Sequence, residues 1–391
     1  MKKRMISFAA ALILILSLLA GCGQREAPGD GSGSLGNDVE QATAEPEKTE
    51  EKALSEDDLI ITRKDFSRKS EDGTLLAEIY YDLVQLPETT DAYRKINACL
   101  QEDYQAFLDS TENPDFQSYL DNAAKNQAEN AGEDWWNYFN TYTAFVSTCE
   151  DGILSIGYAE EWFMGGVANQ NAHGLSFDLD SGEPITLRSI EQTVPENADF
   201  TGYVKAHIFW TMLEESKVDP LTMDYFPDLQ LEDLAFYLVD KQLVIYINTY
   251  QLASGAVGSF EVPTGLYVDQ PQGEIGAVAG QTWYGLYPGD DGSYRLPIIK
   301  LEEDGTFSTW GAYYHSDAGF EIRGTYETEH AAKDTLCFHG TSPIDESYRT
   351  EGAYELIRIG DSIQLLQLGD DILYVDDPHF TVWTLRTEIP D

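Results

Sequence analysis

The sequence predicts an α+β fold, with a mixed helix and antiparallel-sheet domain followed by a small all-β barrel or meander. Between residues 59 and 268, strand-like and helical segments mix without a regular strand–helix alternation. This arrangement favours mostly antiparallel pairing over a doubly wound parallel sheet. Beyond residue 281 the helical period disappears, and eight or nine short strand candidates follow within the last 110 residues. Such a series is typical of an up-and-down barrel or a meander.

The N-terminus has the pattern of a bacterial lipoprotein signal. Three basic residues lie within Met1–Arg4, an apolar run of fifteen residues extends from Ile6 to Ala20, and Gly21 precedes Cys22. The run is shorter than the roughly 20 residues that span a bilayer, and an uncleaved membrane anchor is the alternative. We expect residues 1–21 to be a signal peptide and Cys22 to carry lipid. The lipid would anchor the protein on the outer face of the bacterial cytoplasmic membrane, in the cell envelope.

Residues 22–58 are predicted to form an acidic disordered tether. Glycine and serine are frequent first, glutamate follows, and no hydrophobic period is present, so this segment has little apolar surface to bury. The formal net charge of the chain is −45, and it becomes −48 once residues 1–21 with their three basic residues are removed. This acidity excludes nucleic acid as a partner, because binding a phosphate backbone requires a basic face. It serves either solubility alone or the attraction of a cationic partner.

The first part of the folded region, residues 59–150, is expected to contain a strand and two helices. Thr74–Val84 is rich in branched and aromatic residues, which favours a strand. Asn113-Pro114 is typical of the cap and first turn of a second helix that runs toward Asn130. The first helix is indicated by apolar residues that recur at three and four positions, namely Tyr93, Ile96, Leu100, Tyr104 and Phe107.

The second part, residues 151–268, is expected to consist of hairpins around one helix. Asp151-Gly152 suits a tight turn between the strands Tyr138–Cys149 and Ile153–Phe163. The apolar residues Phe200, Val204, Ile208 and Met212 indicate the helix. The remaining predicted strands are His173–Leu179 with Pro184–Leu187, Leu234–Val239 with Leu243–Ile247 around Asp240-Lys241, and Phe260–Val262.

Residues 269–281 are rich in glycine, proline and glutamine and predict a linker, after which residues 282–391 form the predicted all-β domain. The stretch Gly280–Gly285 resembles the opening of lipocalin-like small barrels, and a generic antiparallel meander is the alternative. The strand candidates are Trp283–Tyr287, Tyr294–Leu301, Thr306–Tyr314, Phe320–Tyr326, Thr335–His339, Ala353–Ile359, Ile363–Leu368, Ile372–Val375 and Phe380–Leu385.

Three stretches between residues 59 and 268 carry a resemblance to a known family. They are Gly165-Gly166, Gly174–Leu187 and Leu234–Pro263. This region resembles the extracellular domain shared by RsiV-type anti-sigma factors and PdaC-type peptidoglycan deacetylases. Val167-Ala168 stands where the family often has a histidine, and the metal-dependent deacetylase pattern of the PdaC type is absent from the C-terminal residues. The resemblance therefore implies the shared part alone, a cell-envelope domain of unknown function, which binds lysozyme in the RsiV type.

The best candidate for a contact surface is an aromatic cluster together with a glycine loop. Aromatic rings interleaved with amides suit sugar faces or protein hot spots. The alternative is that alternate rings of the cluster face the core. The candidate residues are Trp135, Trp136, Tyr138, Trp162, Gly165 and Gly166.

The sequence carries no pattern that indicates catalysis, a cofactor or a metal. The six histidines are scattered, with no pair at helical spacing. Glu160 and Glu161 are adjacent on a predicted strand and therefore point to opposite faces, which argues against a glycosidase pair. Asp178, Asp180 and Gly182 fit a hairpin turn better than a calcium loop. A disulfide between Cys99 and Cys149 and free buried thiols are both open.

We therefore expect a lipid-anchored binding protein of the cell envelope without catalytic activity. Its partner would be glycan, peptidoglycan or a cationic protein such as lysozyme. One alternative is a small-ligand carrier or sensor that uses the C-terminal barrel, and another is an envelope enzyme of unknown reaction.

Overall fold

The computed structural model describes residues 53–129, 137–218, 222, 225–226, 228–269, 278–288, 294–295, 298–312, 319–330, 334–341, 349–368 and 382–386. Residues from Ala53 to Asp391 form one compact unit. Among the helices in these ranges, none combines the length and the hydropathy needed to cross a bilayer. Cys22, the predicted linker residues 270–277 and the predicted strand Ile372–Val375 lie outside the described residues.

The first sheet has seven strands within the described ranges, in the order β1-β3-β4-β5-β6-β7 with β2 against β3. All of its described pairings are antiparallel except β3 with β4. Two helices connect that parallel pair and cover one face of the sheet. The strands are β1 Ile60–Asp65, β2 Arg68–Lys69, β3 Leu75–Gln85, β4 Tyr138–Glu150, β5 Ile153–Phe163, β6 Asn169–Asp178 and β7 Pro184–Ile185.

Both predicted connecting helices are present, as α1 Asp91–Glu112 and α2 Pro114–Glu129. The Thr90 side chain caps α1 by accepting a hydrogen bond from the backbone N–H of Tyr93, at 3.0 Å. Pro114 lacks the N–H that would continue α1, so the chain turns and begins α2 there. The buried residues of α1 are Ala92, Ile96, Leu100 and Phe107, which confirms most of the predicted apolar face.

The two tight hairpin turns form where the sequence predicts them. Asp151 and Gly152 have φ values of 46° and 81°, and Asp240 and Lys241 have 47° and 67°. Two consecutive positive φ values match the right-handed twist of the flanking strands. A hydrogen bond joins the two hairpins: Thr148 Oγ1 donates to the Leu238 carbonyl at 2.8 Å.

A three-stranded sheet, β10-β9-β8, packs with a buried helix to form a second core. Most of the helix surface is buried, and Tyr203, Val204, Phe209 and Met212 are all fully buried. A short helix begins at Leu187, where a strand was predicted, because Thr186 caps it through the Ser189 N–H. The elements are α3 Leu187–Glu191, α4 Phe200–Glu214, β8 Ala235–Val239, β9 Gln242–Ile247 and β10 Phe260–Tyr267.

The C-terminal part is an antiparallel barrel-like sheet, with nine strands in the described ranges. Its first strand also pairs with its last, so the sheet returns on itself. Aromatic rings fill the described interior, with Phe307 against Phe338 at 4.8 Å and Phe338 against Tyr354 at 5.9 Å. The strands are β11 Thr282–Pro288, β12 Tyr294–Arg295, β13 Ile298–Leu301, β14 Thr306–Ala312, β15 Gly319–His330, β16 Asp334–Thr341, β17 Arg349–Ile359, β18 Ser362–Gln367 and β19 Val382–Arg386.

The barrel-like sheet is docked directly on α4. The Gln364 side chain is fully buried and exchanges two hydrogen bonds, each 2.7 Å long, with the backbone N–H and carbonyl of Asp199. Ile359, at the end of β17, belongs to the same hydrophobic core as α4. These contacts fix the orientation of the barrel-like sheet relative to the helix.

The structure moves one predicted boundary and decides one question that the sequence left open. Order begins before the predicted position 59, because Leu54 is buried in the first core and Ser55 caps a short helical turn at Glu56–Asp58. The described cysteines, Cys99, Cys149 and Cys337, are all free thiols, so the Cys99–Cys149 disulfide is not formed.

Candidate functional site

A layer of aromatic side chains forms the base of the candidate site. Tyr81, Tyr142 and Tyr158 come from three strands of the first sheet. The ring centroid of Tyr81 lies 5.8 Å from that of Tyr142 and 5.1 Å from that of Tyr158. Phe107 of α1 closes over them, at 5.2 Å from the Tyr81 ring and 4.9 Å from the Tyr142 ring. Tightly packed rings of this kind give a rigid floor between helix and sheet.

His173 lies on this floor between two carboxylates. Its Nδ1 is 2.5 Å from Glu160 Oε1 and its Nε2 is 3.2 Å from Asp103 Oδ2. The imidazole stacks on the Tyr158 ring, with 4.8 Å between centroids and 8° between planes. The Tyr81 hydroxyl donates to the same Asp103 oxygen at 2.5 Å. Because Asp103 belongs to α1 whereas His173 and Glu160 belong to β6 and β5, these contacts tie the helix to the sheet.

The carboxylates keep His173 protonated at neutral pH. Burial is the largest single influence and opposes the charged ring, but the hydrogen bonds to Asp103 and Glu160, with the charges of both, raise the pKa of His173 to about 9. Burial also opposes the ionised form of Asp103, yet the bond and the charge of His173 leave the pKa of Asp103 below its usual value. The side chains of His173, Asp103 and Glu160 are 25%, 25% and 18% exposed, so water screens these interactions only in part.

A cleft of about 270 Å³ lies where the corner between α1 and α2 meets the ends of β4 and β5. Phe116 and Tyr119 are one helical turn apart on α2 and therefore share a face. Asn140 and Trp162 are direct partners across β4 and β5. Tyr119 is 43% exposed, so its ring is accessible from solvent. The cleft is lined by Ser110, Asn113, Phe116, Tyr119, Asn140, Trp162 and Met164.

The histidine cluster and the cleft occupy one face of the same strand. Tyr158, Glu160 and Trp162 alternate along β5 and therefore project to the same side. The strand pairing places Tyr142 opposite Glu160 and Asn140 opposite Trp162. One strand repeat, roughly 7 Å, thus separates the carboxylate held by His173 from the ring that lines the cleft. Glu161 projects to the other side, where it accepts a hydrogen bond from Gln170 at 2.9 Å.

A glycine loop follows the cleft residue Met164. Gly165 has a φ of 90°, and a Cβ added there would lie 2.9 Å from the Tyr138 hydroxyl oxygen. That hydroxyl accepts a hydrogen bond from the Asn126 side chain of α2, at 3.0 Å. Gly166 has a φ of 97° and open space around it. Glycine at position 165 therefore allows the loop to approach Tyr138 closely, next to the helix that forms one wall of the cleft.

The predicted site residues divide into three groups. Trp162 lines the cleft, and Gly165 and Gly166 are exposed in the adjoining loop. Tyr138 does not belong to a contact surface, because its side chain is 5% exposed and packs edge-to-face on Phe163 at 5.7 Å. Trp135 and Trp136 lie outside the described residues.

Sequence reasoning did not identify the α2 side of the cleft or the histidine cluster. Phe116 and Tyr119 recur at a spacing of three, which was a usable signal for a shared helical face. No local pattern connects Asp103 with His173, because seventy residues separate them and only the helix–sheet packing brings them together. Within the described ranges, no three His, Cys, Asp or Glu side chains are placed to hold a metal ion.

The Asp178 region forms a hairpin turn in the structure. Asp178 Oδ1 accepts hydrogen bonds from the N–H and the hydroxyl of Ser181, both at 2.7 Å. The same carboxylate cannot offer that oxygen freely to a calcium ion, so the turn interpretation fits the contacts.

Comparison with known proteins gives a distant structural likeness. No protein-family model matches the chain, and no curated protein matches it at a significant level. The chain is similar to a DUF3298 family member from Bacteroides fragilis, with 14% identity and a TM-score of 0.36 over 52% of this chain and 88% of that one. It is also similar to a DUF3298 family protein from Pseudomonas aeruginosa, with 14% identity and a TM-score of 0.35 over 53% of this chain and 89% of that one. This likeness transfers no residue role or activity.

Proposed function

We propose that the protein is a lipid-anchored binding protein of the cell envelope that binds glycan or peptidoglycan in the aromatic cleft, without turnover. The observation that carries the proposal is the lining of the cleft, which combines three aromatic rings with two asparagines and a serine. Aromatic rings offer apolar faces to a sugar ring, and amides and hydroxyls match its alternating donors and acceptors. Such a mixture is typical of ligand sites that are mostly apolar with a few polar groups.

The state of the nearby carboxylates supports binding rather than hydrolysis. Asp103 and Glu160 both contact the His173 ring, and the ring is protonated at neutral pH. A protonated imidazole held by two carboxylates is not free to act as a general base. The cluster is better suited to tie α1 to the sheet beside the cleft than to transfer protons.

The envelope location rests on the N-terminal sequence. The charged start, the short apolar run and the small residues before Cys22 are what a lipoprotein signal requires. Mass analysis of the mature N-terminus tests this part of the proposal. We expect a peptide that begins at Cys22 and carries fatty acids, and an intact leader would contradict it.

Two observations bear on the other candidate functions. The formal net charge of −45 favours a cationic protein such as lysozyme as a second candidate partner, and it is consistent with the resemblance to RsiV-type domains. The packed rings of Phe307, Phe338 and Tyr354 occupy the interior of the barrel-like sheet, which disfavours a small-ligand carrier. An envelope enzyme has no residue constellation in its support among the described residues.

Titration calorimetry with soluble peptidoglycan fragments tests the glycan proposal. Trp162→Ala and Tyr119→Ala should each weaken binding by about tenfold or more, because buried aromatic contacts dominate such interfaces. Tyr225→Ala is the matched control, since Tyr225 is also a surface tyrosine, 49% exposed, and does not line the cleft. Binding that neither Trp162→Ala nor Tyr119→Ala weakens, relative to the control, would refute a role for the cleft. Titration with lysozyme under the same conditions distinguishes the second candidate partner.

A further inference from the structure

We infer that the cleft selects a cationic ligand and that, among glycans, it prefers amino sugars whose amine is free and protonated. This inference rests on the proposed glycan-binding function and narrows the ligand class of the same site. It is carried by two independent features, which are the charge of the elements that build the cleft and the kind of side chain that lines it.

The elements around the cleft carry far more acidic than basic residues, although Glu183 and Asp151 are paired with Lys95 and Lys241. Between Ile96 and Leu187, which includes most of α1 and all of α2, β4, β5 and β6, the sequence has sixteen acidic residues and one lysine. That lysine, Lys125, lies 3.9 Å from Glu129 and is therefore already paired. Surface charges act over a Debye length of about 8–10 Å in physiological salt. A ligand in the cleft is therefore affected by the acidic residues that lie within about 10 Å of it, and these attract an ammonium group and repel a carboxylate.

Two of these acidic residues are adjacent in the sequence to residues that line the cleft. Glu112 and Asp115 are the chain neighbours of the lining residues Asn113 and Phe116, and both are exposed. On the sheet side, the imidazolium of His173 neutralises only one of the two carboxylates that contact it. The cleft thus has an excess of negative charge on both walls.

The lining supplies a second attraction for the same group. The faces of aromatic rings carry partial negative charge and bind ammonium cations, and Trp is the strongest of the three aromatic types. Phe116, Tyr119 and Trp162 bring three such rings into one cleft. An N-acetylated sugar can stack on these rings but gains nothing from the charge. A de-N-acetylated sugar gains both contributions.

Two glycans of equal length test this inference on the full chain. The probes are tetramers of glucosamine and of N-acetylglucosamine, titrated at low salt and at about 0.3 M salt. At low salt we expect the glucosamine tetramer to bind about fivefold or more tightly than the N-acetylated tetramer, and we expect salt to reduce that preference.

The double variant Glu112→Gln with Asp115→Asn should reduce the preference without affecting the N-acetylated tetramer. The matched control is Glu196→Gln with Asp228→Asn. It removes the same charge from two exposed positions in the part of the chain around α4. Equal or tighter binding of the N-acetylated tetramer, weakened by Trp162→Ala, would overturn this inference and leave the proposed function intact. Polylysine serves as a cationic probe without sugar rings. If neither tetramer binds, or if only polylysine binds and Trp162→Ala does not weaken that binding, both this inference and the proposed function are overturned.

Discussion

Replacing His173 with glutamine should make the free energy of unfolding less dependent on pH between about pH 6 and pH 10. The wild-type ring gains its charge-stabilising partners only in the folded state, where its pKa is about 9 instead of the usual 6.5. At 1.36 kcal/mol for each tenfold change in proton affinity, this difference corresponds to about 3 kcal/mol of stability. Glutamine keeps a polar side chain of similar length but carries no charge, so this contribution is lost.

The sign follows from which state binds the proton more tightly. Because the pKa is higher in the folded state, the stabilisation is complete below about pH 6.5 and disappears as the pH rises through about 9. Wild type and His173→Gln should therefore differ most at about pH 6 and least at about pH 10. Titrations shared by both proteins, such as those of the surface lysines, cancel in the difference.

Urea denaturation followed by circular dichroism at both pH values measures this difference. His339→Gln serves as the control, since His339 is exposed on the barrel-like sheet and its replacement should leave the stability difference between the two pH values unchanged. A gap between wild type and His173→Gln that is equal at both pH values would refute the reasoning. It would mean that His173 contributes packing on Tyr158 but no charge pairing.

Two further substitutions test the loop beside the cleft and the docking of the barrel-like sheet. Gly165→Ala should lower the free energy of unfolding by about 1–3 kcal/mol, because alanine disfavours a φ of 90° and its Cβ would crowd the Tyr138 hydroxyl. Gly166→Ala has a similar φ but open space, so thermal denaturation should show a smaller loss. Gln364→Ala should cost about 1–3 kcal/mol by removing the partner of the Asp199 N–H and one of the two donors to the Asp199 carbonyl, whereas the exposed Gln192→Ala should leave the thermal midpoint unchanged.

Local signals were sufficient for most individual elements. Asp151-Gly152 predicted one hairpin because this pair readily adopts consecutive positive φ values, and Asp240-Lys241 was predicted from the apolar strands on either side of it. The structure has both turns there. The cap at Thr90 and the proline at position 114 bracket α1 for equally local reasons. The single parallel pairing of β3 with β4 and the closure of β11 on β19 depend on contacts between distant segments, which no short window of sequence contains.

The candidate site was only partly predictable for a related reason. Trp162 was predicted as part of the candidate contact surface, together with the glycine loop, and it lines the cleft. Tyr138 is also aromatic and lies on the same face of β4 as Asn140, yet α2 covers it, and its hydroxyl accepts a hydrogen bond from Asn126. Sequence shows which rings exist but does not show which of them the helices cover. That depends on how α1 and α2 lie on the sheet.

The histidine cluster explains why the cleft can stay open while its walls repel each other. Asp103 on α1 and Glu160 on β5 are carboxylates on opposing elements, and without a cation between them their charges would push the helix away from the sheet. The protonated His173 ring bridges them, and the Tyr158 face beneath it fixes its orientation. The positive charge of His173 thus adds to the apolar packing of Leu100 and Phe107 that holds α1 against the sheet, one strand repeat from Trp162. The surrounding acidity is left uncompensated at the cleft, where an incoming ammonium group would complete the charge balance that His173 provides further inside.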